Sequence, residues 1–190
     1  MAGILDTTAI IKAAITKAGQ ANQVVEALEA FKLNGLWCYI DQIQAIQHDL
    51  DTRAKSQRGR NERLPAVFVL MDFPQTEQRR NTPQYTVEAE LFMLIVAFAE
   101  DSATTWEGRK DKTFKPLLWP ITDAVLNAFD GGTNGVWIDK RKPIVRIDRP
   151  RLTQSFNEEV MRQRLPTIFN EKLDGVELRN VKVKFKIDCI

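Results

Sequence analysis

The chain has 190 residues, 44% of them hydrophobic and 27% charged, with a formal net charge of +2. That length supports one domain, residues 1–190, with a core that needs no metal or disulfide, and the near-neutral balance gives no global case for a nucleic-acid or membrane binder. Cys38 and Cys189 stand far apart without CxxC spacing, which argues against a disulfide framework or zinc site and for reduced thiols of an intracellular type.

Met1 to Asp6 carries no basic segment leading into an apolar one, so no signal peptide is expected. Thr7 to Ala18 predicts a helix: Asp6, Thr7 or Thr8 can cap it, and Ile11, Ala14, Ile15 and Ala18 recur on one face. Gly19 either ends it or interrupts a longer helix that continues through Val24, Val25, Leu28 and Phe31, and Asn34-Gly35 is a stop. Leu36 to Ile40 reads as a strand. Beyond it Ile40, Ile43, Ile46 and Leu50 also fit helical spacing; we take strand to about Ile46.

Asp49 to Arg63 is expected to be an exposed loop, with Arg53, Lys55, Arg58, Arg60 and Arg63 set against Glu62. Ala66 to Met71 is a short apolar strand, and Gln75 to Pro83 a polar connection with turn residues. The segment the others are organised around follows, Tyr85 to Ala99. Its first half alternates, with Val87, Ala89 and Leu91 opposite Thr86, Glu88 and Glu90; from Phe92 onward both faces are apolar. A strand amphipathic at one end and apolar all round at the other is the centre of a sheet, covered on both sides only over its second half. At about 3.3 Å per residue it would span roughly 50 Å.

Glu100 to Thr113 is polar and without period, and predicts a long surface loop displaying Trp106. Pro116 opens the next helix, with Leu117, Leu118, Ile121, Val125 and Phe129 as its buried stripe and Gly131-Gly132 as its end. Pro120 inside that helix would cost about 3 kcal/mol, so either the helix proper starts near it or the first turn is distorted. Val136 to Ile138 and Ile144 to Ile147 read as short strands flanking Lys140, Arg141, Lys142 and Pro143, and Ser155 to Glu158 matches a capping box. Val181 to Cys189 alternates apolar residues with Lys182, Lys184 and Lys186. These lysines should meet Glu88 and Glu90 across one sheet. The fold class is therefore α+β: a mostly antiparallel sheet with a long central strand, N-terminal and middle helices, and extended charged loops.

No residue set points to catalysis. His48 is the one histidine, and GxSxG, HExxH, GxxxxGK[ST] and GxGxxG after a strand are all missing. The glycines at 131, 132 and 135 follow a helix rather than open one, which makes them a turn and not a phosphate cradle. Asp41, Asp49 and Asp51, or Glu158 and Glu159, lack supporting His or Cys and read as solvated carboxylates. Neither an enzyme, a cofactor nor a metal is expected. Charge is nonetheless segregated. The stretch 53–63 carries five cations against one carboxylate, and 139–151 carries six against two. Such loops could contact a phosphate backbone in a salt-sensitive, sequence-independent way, but without interleaved aromatics they form no stacking platform. Trp106, with Glu107, Arg109 and Lys110, is a candidate contact surface, because a tryptophan in a loop commonly marks one; the alternative is that it folds back on the core.

The order of elements, an N-terminal helix, Leu64 to Val69, a polar loop, the long Thr86 to Phe98 strand, a further loop and Pro116 to Phe129, resembles the tail terminator (tail completion) proteins of the long-tailed bacteriophage neck. The resemblance covers roughly Thr7 to Phe129 as a pattern of elements. It implies a virion protein, assembled in the host cytoplasm, that forms a homo-oligomeric ring, a hexamer in that family. The ring caps the tail tube, contacts tail tube and head connector proteins, and lets double-stranded DNA pass, with no membrane and no small-molecule ligand. On that view Trp106, Glu107, Arg109 and Lys110 belong to a subunit or partner interface. Arg53, Lys55, Arg58, Arg60, Arg63, Lys140, Arg141 and Lys142 would lie on loops facing the channel or DNA. The alternative is a nucleic-acid-associated protein that uses basic loops 53–63 and 140–151.

Overall fold

In a computed structural model, residues 7–41, 46, 48, 63–70, 75–79, 84–100, 102–129, 151–155 and 172–188 are described. The amphipathic N-terminal segment forms α1 (Thr7–Gly19), and α2 (Asn22–Ala30) follows after a turn, so Gly19 ends one helix rather than interrupting a longer one. Lys32 takes a left-handed conformation at φ 53°, while the Leu33 N–H reaches back to the Leu28 carbonyl, and this closes α2 before Asn34-Gly35. Ile11, Ala14, Ile15 and Ala18 of α1 are buried, as are Val24 and Leu28 of α2.

Among the described residues six strands make one sheet: β1 (Trp37–Asp41), β2 (Ala66–Leu70), β3 (Gln75–Arg79), β4 (Gln84–Phe98), β5 (Arg151–Ser155) and β6 (Leu173–Asp188). Their order is β1-β2-β4-β6-β5, with β3 on the other half of β4, and every pairing except parallel β1–β2 is antiparallel. The fold class is α+β, with β4 at the centre. β2 pairs with Phe92 to Val96, and β3 with Tyr85 to Ala89. The sheet is thus five strands wide at one end of β4 and three at the other. This narrow part, β3 with Gln84–Glu90 and Lys182–Asp188, is called the arm below. Within it Glu88 is in register with Lys184 and Glu90 with Lys182, the juxtaposition expected from the two alternating patterns. Opposite charges so placed are worth roughly 0.2–1 kcal/mol per pair.

The wide end is covered on both faces. On one, Val67, Val69, Leu91, Met93, Ile95 and Ala97 form a single core with α1, α2 and the later helices. On the other, Phe68, Leu94, Val96 and Leu173 pack with Tyr39, whose ring stacks on Phe68 at 5.1 Å between centroids. Alternation explains the division: Val67 is paired with Ile95 and Phe68 with Leu94, and neighbours in sequence point to opposite faces.

Four expectations are corrected. β1 ends at Asp41, and Ile46 and His48 have helical backbone, so the 3.6-residue spacing of Ile43 and Ile46 outweighs the strand reading to Ile46. The polar connection after Phe73 contains β3, an edge strand without an apolar alternation to announce it. β6 starts at Leu173, well before Val181. A bulge between Leu91 and Met93 in the ladder sets Leu91 against Val181 but Met93 against Leu178, shifting the phase of the apolar positions by one.

The fourth concerns 100–113, which is not a long loop. α3 (Trp106–Arg109) runs directly into a π-helical stretch, Lys110–Leu118, and that into α4 (Trp119–Phe129). Thr105 caps the start, its hydroxyl accepting the Gly108 N–H at 3.2 Å. A proline ring in an α-helix strikes the carbonyl four residues back, and Pro116 lies inside this run with Pro120 in the first turn of α4. In the stretch between Arg109 and Trp119 the bonds instead reach five residues back, as from the Trp119 N–H to the Phe114 carbonyl, a wider turn that admits a ring. The helix proper does start beside Pro120, after a distorted preceding turn. Its stripe of Leu117, Leu118, Ile121, Val125 and Phe129 is buried as expected. The glycines after it, the strands expected within 136–147 and the helix expected after Ser155 lie outside the described residues, as does Cys189.

Candidate subunit interface

The four residues expected to form a contact surface are divided by the helix they start. Trp106 is half-buried and meets Phe114 edge to face, ring centroids 5.1 Å apart, so it packs on the core next to its own helix. Glu107 is exposed in the first turn and Lys110 half-exposed. Arg109 is no contact residue of a loop: it is 4% exposed, and its guanidinium Nη1 lies 2.7 Å from Oδ1 of Asp174, itself 0% exposed, while its Nε donates to the Ala103 carbonyl. The pair ties the start of the helix to the start of β6. Burial pushes the Asp174 carboxyl above its ordinary range, against the pull of the Arg109 charge.

Arg63, expected on a channel-facing loop, is half-buried, its guanidinium 5.7 Å above the centre of the Phe98 ring. Arg179 takes the same position over Phe92, also at 5.7 Å, and pairs with the buried Glu177 at 2.8 Å. Both cations thus lie against the aromatic positions of β4 opposite the main helices. Arg53, Lys55, Arg58, Arg60, Lys140, Arg141 and Lys142 fall outside the described residues.

A cleft of about 560 Å³ opens at the end of β4 beside Arg63. Phe31 and Leu33 after α2, Leu64 and Pro65 before β2, Phe98, and Leu117 of the π-helical stretch supply its apolar walls. Its lip is polar: Lys112 bonds both Glu100, at 3.0 Å, and the Ser102 hydroxyl, at 2.8 Å. Hydrogen bonds donated by Lys112 and by the Ser102 hydroxyl, the latter at 2.8 Å, hold the exposed Glu100 carboxyl below its ordinary range. Phe31 is 38% exposed at this cleft. With Val25, also 38% exposed, it is one of the two large hydrophobic residues exposed among the described residues. Sequence reasoning placed Phe31 on a helical apolar stripe and had no signal for the cleft, whose walls come from four separate segments.

No family model matches the chain, and no curated protein matches it. Among the described residues no group of three or more His, Cys, Asp or Glu side chains could hold a metal ion, and no helix is long and apolar enough to cross a membrane. An apolar cleft with a self-neutralised polar lip suits another apolar surface better than a charged substrate.

Cys38, in β1, gives an internal check on this packing. Burial pushes its thiol up to about 12, with Lys12 pulling weakly the other way. In a Cys189→Ser variant the native protein should therefore react with a thiol reagent far more slowly than the unfolded chain, which has on the order of a thousandfold more thiolate near pH 8. Equal rates in buffer and in denaturant would show that Cys38 is not held in the sheet as described.

Proposed function

We propose that the chain is a structural, ring-forming subunit of a phage head–tail junction, which terminates the tail tube and joins it to the head connector. One observation carries the reading: β4 and β6 pair from Phe98↔Leu173 to Gln84↔Asp188, beyond the five-strand region and into the narrow arm. A single domain gains little for its own core from such an extension, whereas a subunit that must reach a neighbour does. The sequence resemblance to the neck proteins, carried by the order of segments from Thr7 to Phe129, supports the reading, and the cleft beside Phe31 offers an apolar surface suited to protein contact.

Light scattering over a concentration series, with negative-stain imaging of the large species, tests the reading. A closed ring, of six subunits in the simplest case, is expected. A monomer at every concentration that binds duplex DNA, with affinity falling steeply between about 50 and 200 mM salt, would overturn it in favour of a nucleic-acid-associated protein. The segregated charge at 53–63 and 140–151 is what favours that second reading.

A further inference from the structure

We draw no further inference here: the strongest candidate, the apolar cleft of about 560 Å³ between Phe31 and the end of β4, carries nothing beyond the reading above, because nothing in the structure shows what covers it.

Discussion

Replacing Arg109 with methionine is expected to cost about 3–5 kcal/mol of folding stability, because it strands the ionised Asp174 carboxylate in a site without solvent. The large effect comes from what is left behind. A second substitution, Asp174→Leu, removes the buried charge, and the double variant should recover most of the loss or exceed the natural chain, as buried pairs replaced by apolar residues often do. Protonation sharpens the test. Asp174 has a folded pKa above that of the unfolded chain, about 3.9, so folding disfavours its ionised form. That cost is absent below the unfolded value, grows as pH rises through the folded value and is complete above it. Taking away the Arg109 charge lifts the folded value further. The deficit of Arg109→Met in urea unfolding should accordingly be smaller near about pH 5 than near about pH 8. A deficit under about 1 kcal/mol, or one equal at both, would mean that Asp174 is solvated and that the helix is not tied to β6 through this pair.

The same ion pair shows why part of the fold could be read from the sequence and part could not. A period of 3.6 located α1, α2 and α4, each of which buries one apolar stripe, and continuous apolar runs located β2 and the second half of β4, which are buried on both faces. β6 was visible only from Val181, since the bulge moves the apolar positions from odd to even numbers and leaves Asp174 and Glu177 where hydrophobic residues would be expected. Residues 106–113 looked like a solvated loop because Arg109 and Lys112 raise the polarity of a segment whose Thr113 and Phe114 are buried. A buried Arg is identified only by its partner, and that partner lies 65 residues further along the chain. The Thr105 cap was the local signal available for the helix start. The cleft had none. It is assembled from the ends of α2 and β4, the approach to β2 and a π-helical wall, and no one of these segments carries its pattern.

Phe114→Ala should be the second most damaging single change, at about 3–5 kcal/mol, the range for removing a fully buried aromatic ring. For a chain of this size, with about 2–4 °C in Tm per kcal/mol, thermal unfolding should fall by roughly 6–20 °C. Phe114 lies within the π-helical stretch, packs in the core between helices and sheet, and meets the Trp106 ring in a T-shaped contact. That contact decides what Trp106 is for. If the tryptophan belongs to the core, Trp106→Ala should itself destabilise the monomer. Its effect and that of Phe114→Ala should then add to less than their sum, with a coupling of about 0.5–1.5 kcal/mol for the ring pair. If instead it were the contact residue that a loop tryptophan suggests, Trp106→Ala would spare thermal unfolding and impair assembly, and the two changes would be independent. The edge-to-face geometry predicts the first result. Assembly should respond to Phe31, which lies at the mouth of an apolar cleft and contributes nothing to the described core, more than to Trp106, whose ring is already engaged within its own subunit.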